Sequence, residues 1–311
     1  MLNSFRKQIR SNITADAYKS LNQKQPHRVI FFTSLVWSQL FLAFWVALTF
    51  DSIYSILSFF IICACMQAML LWTHEASHHN LFRSTSLNDL WCSIFFSAPL
   101  GVDIKTYRRH HSSHHSAMST KRDLDKYAYD IEISGPKPFL SFAIKTLSGF
   151  EGLRLIKNKY LKKEAVSSSK TSKLVTIIFN LILGASFTFS GKWYLYFILW
   201  VYPLLSVTIF LNNVRSVGEH LPRGDRFLDE TKQDLKQMVR TTTPNLFEKW
   251  FLYQANFNYH LEHHLFPSIP AHNLPKLHAI LKDIGFYERN PECIQKSGAS
   301  TFFKFGISSK A

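Results

Sequence analysis

Two uncharged apolar runs stand almost back to back near the start of the chain. Residues 29–50, VIFFTSLVWSQLFLAFWVALTF, carry no charged side chain over 22 positions, and residues 53–73, IYSILSFFIICACMQAMLLWT, carry none over 21. Wound as helices, each is about 30 Å long, the thickness of a bilayer's hydrocarbon core. Only Asp51 and Ser52 separate them, so the pair reads as a transmembrane hairpin. A second pair, at about 174–190 and 193–213, is joined by Gly191-Lys192. Lipid offers no hydrogen bonds to the backbone, so spans of this length are helices. The expected fold class is an all-α integral membrane protein with four transmembrane helices in two hairpins. A fifth apolar run, 87–102, is short and contains Asp89 and Pro99. It suits a re-entrant segment better than a span.

The charges lie where such a fold would put them. Of 36 Lys and Arg, only Lys192 falls within 29–73 or 174–213. The positive-inside rule then places both termini and the long segment between the pairs on the cytoplasmic side. The net charge of +15 is thus first a topology signal. It secondarily favours anionic lipid heads or an acidic protein partner. No basic motif with interleaved aromatics points to nucleic acid. Residues 1–28 are polar and lack the apolar core of a signal peptide. The four cysteines, Cys63, Cys65, Cys92 and Cys293, show no disulfide or zinc spacing. The chain divides into a cytoplasmic N-terminal segment (1–28), a membrane domain (29–290) and a C-terminal tail (291–311). Within the membrane domain, 139–160 reads as interfacial and 161–173, LKKEAVSSSKTSK, as a linker.

Chemistry is concentrated in the histidines. Eleven of 14 fall in three clusters and one single position: His74, His78 and His79; His110, His111, His114 and His115; His220; and His260, His263 and His264. At about 100° per helical residue, positions i, i+3 and i+4 share one face. His111, His114 and His115 fit that spacing, His260, His263 and His264 repeat it, and His74 and His78 are i, i+4. His79 and His110 lie off the shared arcs and are weaker candidates. Topology allows all nine facing imidazoles to meet at one membrane face, as a histidine-lined helical cap. They are too many for one metal and suggest two. His74-Glu75-Ala76-Ser77-His78 also matches H-E-x-x-H, which on a helix suggests a zinc metalloprotease. That reading leaves the other clusters unexplained.

HEASHH, RRHHSSHH and NYHLEHHLFP resemble the three histidine boxes of the membrane fatty-acid desaturase superfamily, and the similarity runs from about residue 70 to 280. RSVGEH is similar to the family's extra histidine segment, and the DLD at 123–125 to its acidic motif after the second box. The resemblance implies a non-haem centre of two Fe ions that uses O₂ to attack an unactivated C–H bond of a fatty-acyl or other lipid chain. Desaturation is the expected outcome, with hydroxylation, ketolation or decarboxylation as alternatives within the same superfamily. Under this reading the metal ligands are His74, His78, His111, His114, His115, His220, His260, His263 and His264. Glu75, Asp123, Asp125, Glu219 and Glu262 become acceptors for imidazole N–H groups. Asn256, four residues before His260, is expected on the same helix face, holding a water on one iron. Arg108 and Arg109 are read as topology signals or as binders of an acyl head group. No cytochrome b5-like segment is read at either end, so electrons are expected from an external ferredoxin or cytochrome b5-type donor. A bacterial cytoplasmic membrane is favoured over the endoplasmic reticulum.

Overall fold

A computed structural model describes residues 2–50, 52–131, 133–161, 169–220 and 239–307. Much of the 161–173 linker thus lies outside the described residues, as does residue 51 of the first connection. Four segments among those described are long and apolar enough to cross a membrane. They are α3 (Pro26–Thr49), α4 (Ser52–Ser77), α9 (Lys170–Phe189) and a composite helix from Tyr194 to His220. Pro26 opens α3 at the first turn, where its missing N–H costs nothing. The composite helix is built from α10 (Tyr194–Tyr196), a π turn (Phe197–Val201), α11 (Tyr202–Leu205) and α12 (Val207–His220). Its break falls at Ser206, where φ is −132° and ψ −77°.

Two of these helices outrun the apolar runs. α4 continues four residues past 73, to Ser77, and α12 continues seven past 213, to His220. Hydropathy marks only the lipid-facing length. The polar extensions stay helical because protein covers them: His74, Ser77, Ser216 and Glu219 are all buried. These extensions carry His74 and His220. The run 87–102 is not among the four segments of spanning length. It forms α5 (Thr85–Cys92), then a π turn (Ser93–Ser97), under about 20 Å of helix in all.

The spanning helices bury one flank and expose the other. Leu40, Phe44, Met66, Met69, Phe187 and Trp200 share one core. The Phe44 ring meets Phe187 and Trp200 edge-on at 5.6 and 6.0 Å. Asn180 on α9 accepts hydrogen bonds from Tyr196 Oη (3.0 Å) and Trp200 Nε1 (3.1 Å), so its amide is satisfied away from water. Phe31, Phe41, Ile53, Leu181 and Phe189, the last 90% exposed, form the outward face. Such a surface is stable only against lipid or protein.

A second core includes the C-terminal ends of α4 and α12 and residues of most of the remaining helices. The latter are α1 (Leu2–Ser11), α2 (Ala15–Leu21), α6 (Ile104–Ala117), α7 (Pro136–Leu147) and α8 (Phe150–Leu161), then α13 (Leu246–Phe251), α14 (His260–Leu265), α15 (Leu274–Asp283), α16 (Phe286–Arg289) and α17 (Gly298–Ile307). Leu71 of α4, Val217 of α12, Leu261, Leu277 and Phe302 meet in it. A short parallel pair, β1 (Thr241–Thr242) and β2 (Ile294–Gln295), ties the two halves of the C-terminal region. α12 and α17 cross at two glycines: a Cβ on Gly218 would meet Gly298 Cα at 2.8 Å. Only glycine permits this approach, which fixes α12 two residues before His220.

Candidate metal centre

Each box is held by a local device. Asp103 caps α6: its Oδ1 accepts the Thr106 N–H at 2.9 Å, while Oδ2 accepts the Ser169 N–H at 3.0 Å, tying the start of α6 to the start of α9. Arg108 on α6 donates from Nε to the Ser77 carbonyl (2.9 Å), from Nη2 to the Ala76 carbonyl (3.1 Å), and in a fork to Asp89 of α5. This clamp locks the C-terminus of α4 against α6. Arg108, read from the sequence as a topology signal or a head-group binder, is in the fold a positioning residue. α14 is a short helix preceded by left-handed residues, Ala255 (φ 54°) and Asn256 (φ 65°), which turn the chain so that His260, His263 and His264 face inward.

The nine expected imidazoles gather in two groups. His74, His78, His111, His115 and His263 form one, and His114, His220, His260 and His264 the other; within each group the ring nitrogens lie within 4.8 Å of one another. In the first, His115 Nε2 is 2.9 Å from His111 Nε2 and 3.1 Å from His263 Nε2. In the second, His260 Nε2 is 2.9 Å from His220 Nε2 and 3.1 Å from His264 Nε2. The groups adjoin: the rings of His115 and His264 stack at 4.3 Å.

These distances fit a metal. Imidazoles bound about 2.1 Å from an ion at right angles have nitrogens about 3.0 Å apart. Without an ion, two converging lone pairs repel and two N–H groups clash. Both ring nitrogens of His74, and His78 Nε2, are buried with no hydrogen-bond partner, which would be costly unless a metal takes the lone pairs. Burial, aided by neighbouring imidazoles, holds His111, His115, His260 and His264 well below the usual histidine range. Neutral rings of this kind are what a metal binds.

The carboxylates sort differently from the sequence expectation. Asp123 Oδ2 accepts from His114 Nδ1 at 3.0 Å and also from Tyr129 Oη. Burial alone would raise Asp123, but these partners and the Ser119 N–H hold it below its usual value. Asp125 Oδ2 accepts from His111 Nδ1 at 3.3 Å, and burial pushes this carboxyl up to about 6. Each bond fixes the tautomer, leaving Nε2 facing its group. Glu75 instead accepts the Ala271 N–H at 2.7 Å, and so pins the segment after the third box to α4. Glu262 accepts from Thr241, Tyr287 and His278 Nδ1 (2.5 Å), fastening α14 from behind. Neither touches one of the nine imidazoles through a hydrogen bond in the structure. Glu219 Oε2 pairs with Arg215 and lies 3.5 Å from His260 Nε2, beside the ligating edge of that ring.

The weaker candidates fall outside both groups. His79 has φ 58°, and its Nδ1 lies 3.7 Å from Asp89. His110 Nδ1 lies 3.9 Å from Asp125. Asn256 does not share a helix face with His260, because a left-handed turn separates them; its Nδ2 donates to the Ala271 carbonyl at 3.3 Å. Sequence reasoning missed Tyr129, Thr241, Tyr287 and Arg215, whose types and spacings carry no signal. His278, one of the three histidines outside the clusters, sits on Glu262.

The engaged Glu75 and five-imidazole first group do not match a protease site of two helical histidines with a free glutamate base. A family model described as fatty acid desaturase matches residues 51–297. The chain belongs to the fatty acid desaturase family. Four apolar helices of membrane-spanning length and two histidine groups compatible with two iron ions agree with that membership. The chain is 27% identical over 250 residues to the dihydrorhizobitoxine desaturase of Bradyrhizobium elkanii, covering 74% of this chain and 68% of that one. It is 26% identical over 227 residues to a sphingolipid delta(4)-desaturase of Bos taurus (72% and 64%), and 27% identical over 252 residues to one of Candida albicans (77% and 64%). The chain spans 56% to 68% of the length of the first three of the curated relatives it matches.

Proposed function

We propose that the desaturase removes two hydrogens from adjacent methylenes of a lipid acyl chain. The balanced reaction is –CH₂–CH₂– plus O₂, two electrons and two protons, giving –CH=CH– and two waters. The observation that carries this reading is the division of nine imidazoles, all buried except the half-buried His78 and His115, into groups of five and four with metal-compatible spacing. Nitrogen-rich, redox-capable sites suit iron, and family membership favours iron over zinc. Two bound iron ions would supply the oxidising power for an unactivated C–H bond.

The chain's own residues do the rest. The nine histidines above would hold the metals. Asp123 and Asp125 keep His114 and His111 in the Nδ1–H tautomer and raise their basicity. The apolar packing of Leu71, Val217 and Leu261 keeps bulk water away from the reacting face. The lipid-facing spans support an acyl substrate that enters from the bilayer. The basic residues outside the spans favour a cytoplasmic active site, cytoplasmic termini and an acidic electron donor of the ferredoxin or cytochrome b5 type. Expression in a host lacking the activity, followed by mass spectrometry of total lipids, tests the reaction. A new double bond that vanishes in His263→Ala supports it. Unchanged lipids with two irons bound would overturn the acyl-chain reading.

A further inference from the structure

Gln67 is a buried amide with nothing to bond. It lies inside the uncharged run of α4 and is fully buried, yet neither its Nε2 nor its Oε1 has a hydrogen-bond partner. Thr33, Thr73 and Asn180 show how polar side chains in the spans are usually satisfied. Thr33 donates to the Val29 carbonyl at 2.7 Å, Thr73 donates to the Met69 carbonyl at 2.8 Å, and Asn180 accepts from Tyr196 and Trp200. A bare amide in an apolar interior is costly, and a polar group kept inside a span marks a functional position.

The place of Gln67 on its helix links it to the histidines. At about 100° per residue, Gln67 lies within about 20° of both His74 and His78 around the helix, with Leu71 on the same face between them. Seven residues of rise set it about 10 Å from His74 along the axis, toward the interior of the span. Its neighbours on α4 are anchored on both sides. Met66 Sδ accepts from Thr208 of α12 at 3.4 Å, and Gln254, in the segment leading to α14, donates to the Ala64 carbonyl at 2.9 Å. The amide is thus enclosed where α4 meets the elements that carry His220 and the third box.

We infer that Gln67 selects the substrate, by receiving a hydroxyl carried on the acyl chain. An amide offers donors on nitrogen and an acceptor on oxygen, and a hydroxyl both donates and accepts, so one hydroxyl answers Nε2 and Oε1 together. A carbonyl on the chain would leave Oε1 bare, and an unsubstituted methylene chain would leave both atoms bare. Sites built to bond a hydroxyl reject the analogue without one for this reason. The preferred substrate is then a hydroxylated chain whose hydroxyl sits several carbons from the oxidised bond, in the part that runs along α4 into the span. This inference rests on the proposed acyl-chain oxidation and adds the substituent that the chain carries.

The experiment uses full-length, iron-loaded enzyme in nanodiscs. Stearoyl chains compete with the positional isomers of hydroxystearoyl, each offered in phospholipid and as the coenzyme A thioester, and mass spectrometry counts the desaturated products. Wild type should favour one hydroxystearoyl isomer over stearoyl by at least about tenfold in kcat/KM. Gln67→Leu should bring that ratio close to one while both irons stay bound; Gln67→Met is the second apolar variant should Leu not fold. Without O₂, the favoured isomer should raise the thermal midpoint of wild type more than stearoyl does, and the two chains should act alike on Gln67→Leu. Equal use of all chains by wild type overturns the selection and leaves the oxidation standing. A preference that survives in Gln67→Leu also overturns it, since the amide would then hold only a trapped water. Desaturation of no chain by wild type, with both irons bound, overturns the acyl-chain reading on which the inference rests.

Discussion

Removing the Arg108 guanidinium should cost the enzyme one metal before the other. Arg108 forks to Asp89 and donates to the Ala76 and Ser77 carbonyls, so it closes the end of α4 that carries His74 and His78. The Arg108 and Asp89 side chains are 20% and 22% exposed. That places the pair between a surface bridge, worth about 0–1 kcal/mol, and a buried one, whose breakage costs about 3–5 kcal/mol. A loss of about 2–3 kcal/mol follows for Arg108→Ala. Because this clamp sits on α4 and α6, it bears on the five-histidine group, which takes His74, His111 and His115 from those helices and His78 from the residue just after α4. The four-histidine group takes only His114 from them. At about 1.4 kcal/mol per tenfold, metal affinity of the first group should fall about 30- to 150-fold. Elemental analysis after titration with a chelator provides the assay: wild type should retain two irons under conditions where Arg108→Ala retains one. Arg108→Lys should recover only part, since an ammonium cannot form the fork. Equal loss of both irons, or retention of both, would refute the clamp argument.

His263→Ala and His264→Ala should each abolish desaturation, but they should differ in which metal they lose, since the two rings belong to different groups; spectroscopy of the remaining iron would separate them. His272→Ala, whose ring meets the Gln23 carbonyl at 3.1 Å and lies in neither histidine group, should keep near wild-type activity, whereas His278→Ala should lower metal content by loosening Glu262 and α14. Gly218→Ala should destabilise the fold by about 1–3 kcal/mol through overpacking against Gly298, seen as a lower thermal midpoint. The metal-free protein should lose stability as pH falls. His111, His260 and His264 are depressed below the usual range, so under pH about 6.5 the unfolded chain binds protons that the folded chain does not. Stability then rises with pH through that window, and melts at pH 7.5 and 5.5 check the sign.

The sequence by itself determined the membrane class and the nine imidazoles. An uncharged run of span length has few stable alternatives in water, and i, i+3, i+4 spacing fixes a shared face before any tertiary contact exists. It also suggested that His79 and His110 stand apart, since helical angle alone separates them. What the sequence left open was how those imidazoles divide. His114 and His115 are neighbours in the chain yet serve different groups, because α6 lies between α4 and the pair formed by α12 and α14. No local pattern encodes that placement. The carboxylates show the same limit. Asp123 and Asp125 reach histidines as expected, while Glu75 and Glu262 turn toward the Ala271 N–H and His278, since a charged side chain's partner is set by whichever donor the packed fold leaves within reach. Asn256 leaves the helix face expected of it for a backbone reason: two left-handed residues end the helical register on which its i, i+4 relation to His260 depended. Helix faces are local physics and can be read from spacing, but the meeting of faces depends on how separate helices pack, and only the tertiary structure decides that.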